Sequence, residues 1–138
     1  MVRKISVEIT TSFAKGASTD GDVFLGLGGR EFRLDIADHE DFGDGDETTY
    51  EFGEGANVSH PERNDPRRGL PLELDHVTSR PVYIRLDAHD GADDWNVANV
   101  RVRVQATDGG AEYSALDGGS ENIWLGKQSG SVLHLHRA

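Results

Sequence analysis

Carboxylates at short spacing are the side chains most able to do chemistry in this chain. Three loops carry them: Gly16-Ala17-Ser18-Thr19-Asp20, the run from Asp35 to Asp46, and Asp87-Ala88-His89-Asp90-Gly91-Ala92-Asp93-Asp94. The second is the densest, with Asp38, Glu40, Asp41, Asp44 and Asp46 interleaved by Gly43 and Gly45. Acids packed into glycine-containing loops repel one another, and water with salt, a basic partner or a hard cation must offset that. Calcium accepts about six to eight oxygens from carboxylates, backbone carbonyls and water, in irregular geometry. The stretch Asp44-Gly45-Asp46-Glu47-Thr48-Thr49 is not an EF-hand, because it lacks the glycine and the closing glutamate of that loop. From spacing alone two readings stand: a calcium site, or acidic loops that are simply solvated.

Other chemistries are weaker. The histidines are His39, His60, His76, His89, His134 and His136. Neither a Gly-x-Ser-x-Gly elbow nor a His-Glu-x-x-His zinc helix is present. Ser59-His60 lies in an irregular stretch that could not hold a triad to catalytic tolerance. His134 and His136 fall on one face of a predicted last strand, an arrangement compatible with zinc or nickel but without an identifiable third ligand. His89 is expected to orient a neighbour or pack. The chain therefore reads as non-catalytic.

The elements that must position these loops are strands. Ile5, Val7 and Ile9 alternate with polar residues, as do Phe32, Leu34 and Ile36, then Val82, Ile84 and Leu86, then Val100, Val102 and Val104. A period of two puts one face in a core and the other in water. Shorter strands are predicted at Val23–Leu27, Thr48–Phe52, Leu72–Leu74, Asn122–Leu125 and Ser131–Leu135. No segment holds an amphipathic helical stripe for three turns. Eight or so short strands separated by glycine-containing turns predict an all-β antiparallel sandwich. In such a sandwich alternate strand ends share a pole, so separate acidic loops can converge there.

At 138 residues the chain has the length of one domain, expected to span 1–138. The absence of cysteine excludes disulfides, thiol nucleophiles and thiolate metal sites. A net charge of −11 argues against a nucleic-acid partner, which demands cations to displace phosphate counterions. No 18-residue apolar run suited to crossing a bilayer occurs, and Met1-Val2-Arg3-Lys4-Ile5 enters an alternating segment without a signal-peptide stretch. A cytoplasmic location is expected, peripheral at a membrane if lipid is bound. The stretch 53–71 holds Pro61, Pro66 and Pro71 with the cation cluster Arg63, Arg67 and Arg68. It reads as a loop insertion, either solvated and partly disordered or a contact site for a partner.

The order of these segments resembles the PLAT (LH2) domain of polycystins, lipoxygenases, animal lipases and clostridial alpha-toxin. Ile5-Ser6-Val7-Glu8-Ile9-Thr10-Thr11 is similar to that family's first strand, and Ser18-Thr19-Asp20 with Val23-Phe24-Leu25 to its turn and second strand. Asp41-Phe42 before Thr48-Thr49-Tyr50-Glu51-Phe52 resembles its acidic loop and following strand. The most specific stretch is Val82 to Gly91, followed by Asp94-Trp95-Asn96-Val97-Ala98-Asn99-Val100-Arg101-Val102. Glu112-Tyr113, Asn122-Ile123-Trp124-Leu125 and Ser131–Leu135 are similar to the closing strands. The likeness covers nearly the whole chain apart from the insertion.

This resemblance implies two four-stranded sheets and a binding module with calcium held at one pole. It implies Asp20 as a side-chain ligand and Gly16 and Ser18 as backbone-carbonyl positions. Asp35, Asp38 and Asp41 fall in the second loop, and Asp93 with Asp94 in the third. Ser18 stands where the family has glycine, and Gly21 where some members have a second acid; both departures lower the expected affinity. Trp95 and Trp124 match positions of membrane-contacting aromatics, whose rings suit an interface; the alternative is that Trp95 packs under its loop and Trp124 caps the sandwich edge. Lys15 replaces the first-loop aromatic, with Phe13 two residues earlier. The expected function is calcium-dependent binding of a lipid surface or protein partner. The alternatives are a protein–protein scaffold with structural calcium, and a carbohydrate-binding module.

Overall fold

The computed structural model describes residues 1–88, 94–116 and 122–138. Its elements are β1 (Val2–Thr11), β2 (Asp22–Leu27), β3 (Arg30–Arg33), β4 (Glu47–Gly53), α1 (Leu74–Ser79), β5 (Tyr83–Asp87), β6 (Trp95–Ala106), β7 (Gly109–Ala115), β8 (Ile123–Leu125), β9 (Val132–His134) and β10 (His136–Arg137). They form two antiparallel sheets, one ordered β10-β7-β6-β1-β4 with β8 also on β6, the other β3-β2-β5-β9. The alternation in the sequence places the core: Ile5, Val7 and Ile9 of β1 and Val100, Val102 and Val104 of β6 are buried. Val23, Leu25, Ile84 and Leu86 face them from the other sheet, and the Phe32 and Phe52 rings meet across the sandwich at 5.6 Å. Burying each such side chain stabilises the fold by about 1.5–3 kcal/mol.

The sheets hold six and four strands rather than four each. β6 is long enough to carry two short strands on one flank, β8 along Trp95–Val97 and β7 along Val100–Ala106. The last segment also changes sheets. His134 pairs with Tyr83 in the smaller sheet, whereas His136 pairs with Ser114 in the larger. The two histidines therefore do not share one strand face. β3 ends at Arg33, so Leu34 and Ile36 continue the burial pattern without the strand. Leu72–Leu74 is not a strand: Leu74 opens α1, whose six residues are too few to show a helical stripe.

The 53–71 insertion closes the flank between the edge strands β4 and β3. The Asn57 side chain accepts from Glu51 N at 2.8 Å and donates to Thr49 O at 2.9 Å, so it behaves as a neighbouring strand would toward β4. Ser59 N donates to Asp35 O at 2.8 Å, and Asn64 Oδ1 accepts from Arg33 N at 2.9 Å on the edge of β3. Val58 and Leu72 enter the core.

A candidate binding pole

Antiparallel pairing gathers the strand ends that flank the three acidic connections at one end of the sandwich. The end of β1 lies beside the starts of β4 and β6, and the start of β2 beside the end of β5. Backbone hydrogen bonds then tie the loops together. Thr11 N donates to Asp46 O at 2.9 Å, Gly45 N to Ser12 O at 3.0 Å, Thr19 N to Phe42 O at 3.4 Å and Asn96 N to Ala17 O at 3.0 Å. A buried polar pair, Ser12 Oγ donating to Asn96 Oδ1 at 2.6 Å, braces the same junction.

Phe42 anchors the second loop to the core. Its ring lies 5.0 Å from that of Trp95 and 5.8 Å from that of Tyr50. Trp95 is 0% exposed and donates its indole N–H to Thr11 Oγ1 at 2.9 Å. Surface contact through Trp95 is therefore corrected: the ring is a foundation under the pole and not part of its outer surface. Trp124 is 39% exposed, Ile123 37% and Phe13 87%. Phe13 lies against Gly45 of the acidic loop, and Trp124 is the strand partner of Asn96. These three apolar side chains thus rim the pole.

A cleft of about 280 Å³ opens at the same end, lined by Asp20, Asp22, Arg33, Asp35, His39, Glu40 and Asp41 among others. Arg33 reaches Asp22 at 2.9 Å, which removes one carboxylate from the unbalanced set. Asp41 Oδ1 accepts from Tyr50 OH at 2.8 Å, while the Asp35 carboxyl is a second hydrogen-bonding neighbour. Burial holds Asp41 above the ordinary carboxylate range, partly opposed by the Tyr50 bond and reinforced by Asp35. Burial and Asp41 together keep the Tyr50 phenol protonated, so it remains a donor. A carboxylate held partly out of water beside a second acid is eased by a proton or by a cation.

The predicted ligands divide. Asp20, Asp35 and Asp41 line the cleft. Gly16 and Ser18 sit on the neighbouring turn, where Ser18 N donates to Asp44 Oδ1 at 3.0 Å. Asp38 is exposed in a left-handed turn, φ 59°, and is not part of the cleft lining. The Asp94 carboxylate fills the space above Gly126, beside β8. Asp93 and His89 lie outside the described residues. Gly21 has a steric reason for lacking an acid: a Cβ would meet Leu86 Cδ1 at 2.8 Å and Asp87 O at 3.0 Å. The donor chemistry, oxygen throughout, fits a hard cation. Among the described residues no group of three or more acids or histidines converges to metal-binding distance. Asp22 and Arg33 were missed from the sequence because strand register, not spacing, brings them to the cleft, whereas Glu40 stood in the acidic run without being singled out. Asp44 stood in the acidic run, but its reach to the first loop had no signal.

No family profile and no curated protein is matched by this sequence. Among solved structures, the alpha toxin of Clostridium absonum matches at TM-score 0.62 and 20% identity, over 98% of this chain and 31% of that one. An alpha-toxin from an avian strain of Clostridium perfringens matches at 0.61 and 21%, again over 98% and 31%. Coral 8R-lipoxygenase, a protein described as calcium-activated via a C2-like domain, matches at 0.59 and 18%, over 98% of this chain and 17% of its own. The chain spans under a third of the toxins and about a sixth of the lipoxygenase. The fold is thus that of the C2-like, PLAT-type β-sandwich.

Proposed function

We propose that the chain is a non-catalytic binding module whose loop pole docks on a lipid surface with calcium as cofactor. The supporting observation is the exposed trio Phe13, Ile123 and Trp124 at the same end as the acidic cleft. Apolar side chains at a rim can enter the headgroup layer, each adding its buried area to the attraction. The acidic cleft alone would repel an anionic lipid. Asp20, Asp35 and Asp41 would hold calcium, which supplies positive charge where the chain has an excess of negative charge. Phe42, Trp95 and the Ser12–Asn96 pair tie the first two loops to the start of β6, which supports rim and cleft at one end of the sandwich. The C2-like neighbours support lipid docking as the general class, and calcium activation is described for the coral lipoxygenase.

The test is sedimentation with phosphatidylcholine–phosphatidylserine vesicles, in calcium and in EDTA. Binding in calcium that falls in EDTA, and falls about tenfold or more in Phe13→Ser/Trp124→Ser, is the expected result. A calcium-dependent rise in melting temperature without vesicle binding would replace this reading with a structural cation and a protein partner. Retention on polysaccharide, lost in Trp124→Ala, would replace it with sugar binding.

A further inference from the structure

At the opposite end of the sandwich arginines collect around a turn. The β2–β3 turn, Gly28-Gly29, is separated from the acidic pole by the length of β2, about 3.3 Å per residue along the strand. Arg80 and Arg30 stand at this turn, and Arg30 ties to it the insertion segment that carries Arg67 and Arg68. Arg80 donates to Gly28 O at 2.9 Å and passes over Gly29. Arg30 donates to Arg68 O at 3.2 Å, Leu70 O at 3.4 Å and Asp65 O at 3.3 Å, which fastens the tip of the insertion to β3. Arg67 is consumed by Asp65: Nε meets Oδ1 and NH2 meets Oδ2, both at 2.9 Å. Arg68 lies 3.8 Å from the same carboxylate, with its side chain 66% exposed. Asp65 is therefore one buried carboxylate beneath several cations, and the nearby Glu54 is already paired with Arg3. Next to Arg68, Leu70 stands 87% exposed on a backbone that Arg30 holds in place.

We propose that Arg68, Leu70 and Arg80 form a second interaction surface, one that receives an acidic peptide segment of a protein partner, with carboxylates flanking an apolar residue. Charge complementarity selects an anionic segment, and the exposed Leu70, two residues from Arg68 and held by Arg30, selects one with an apolar side chain to cover it. A nucleic acid or an anionic bilayer is disfavoured, since a chain of net charge −11 is repelled by an extended polyanion and offers few cations here. Of the arginines first singled out in the insertion, Arg68 contributes directly and Arg67 braces. Arg63 lies nearer Asn64 and the far end of β3 and stands apart from this surface. This surface does not depend on the reading of the loop pole.

The probe is a synthetic peptide of alternating glutamate and leucine, titrated into the isotopically labelled full chain and followed by amide chemical shifts. A lysine–leucine peptide is the control, and both are run at low and at physiological salt. The expected result is saturable shifts in 28–31, 68–72 and 80, weakening with salt, with affinity about tenfold lower in Arg68→Glu/Arg80→Glu. Leu70→Ser, whose backbone role is unchanged, is expected to weaken binding by itself and decides the matter if the double variant does not fold. Absence of shifts, shifts centred on the acidic pole, or equal binding by Leu70→Ser would overturn the proposal. So would phosphatidylserine vesicles or single-stranded DNA shifting these residues while the glutamate–leucine peptide does not.

Discussion

The acidic run 35–46 and the insertion 53–71 are both long irregular connections, and both are fastened to the sandwich, but they treat charge in opposite ways. The insertion balances itself: Asp65 accepts from the Arg67 backbone and guanidinium, and these bonds hold its carboxyl below the ordinary range. The acidic run does not. Asp41 is held high by burial with Asp35 beside it, and the cleft around them has few cations. A loop whose charges are satisfied internally is behaving as structure. One whose carboxylate is held partly out of water beside another acid stores an unfavourable interaction that a ligand can relieve, and that difference supports the proposed pole more than acid content does.

The largest expected effect removes the foundation of the acidic run. Trp95→Ala deletes a fully buried ring in contact with Phe42 and should cost about 3–5 kcal/mol, measured by urea denaturation. A loss under about 1 kcal/mol would mean that the acidic run does not depend on the core beneath it. Next, Asp65→Asn strips the charge-assisted bonds of the insertion and should cost about 1.5–3 kcal/mol. If that variant were as stable as the parent, the insertion would not be self-balanced and the contrast would fail.

The pH response should separate the two regions by sign. Asp41 has its folded value raised, so its contribution is favourable below the ordinary carboxylate range and is lost as pH rises through the raised value. Asp65 has its folded value lowered; its contribution is present above about 3.9 and is lost as pH falls through the folded value. Asp41→Asn should therefore raise stability at neutral pH by up to about 1 kcal/mol and remove the gain seen on mild acidification. Equal melting temperatures for Asp41→Asn and parent across that range would show that the pair carries no stored repulsion. Calcium should raise the melting temperature of the parent and leave that of Asp35→Asn/Asp41→Asn nearly unchanged; equal rises would move the cation elsewhere. The smallest effect is Trp124→Ala, within about 0.5 kcal/mol, because its side chain is partly exposed rather than part of the core.

Strand alternation made much of the fold legible, since Ile5, Val7 and Ile9 or Val100, Val102 and Val104 must face a core wherever that core is. What alternation does not encode is which strand is a neighbour. Asp22 enters the cleft because β2 pairs with β5, and β8 shares a flank with β7 because β6 is twelve residues long. The sheet change between His134 and His136 was hidden for the same reason: two residues apart is a face only while the strand continues. Of the site, Asp20, Asp35 and Asp41 were visible as acids in loops expected to converge. The division of labour between the tryptophans was not, because indole N–H burial depends on Thr11, 84 positions away.

Asn57 and Asn64 lend β4 and β3 the hydrogen-bonding partners that a further strand would offer. Unpaired strand edges are templates on which a second chain can add, and repetition of that step grows fibrils. The insertion therefore shields the protein against self-polymerisation along this flank. Shortening it would remove Val58 from the core and bare both edges, turning this flank into a template on which further copies could add.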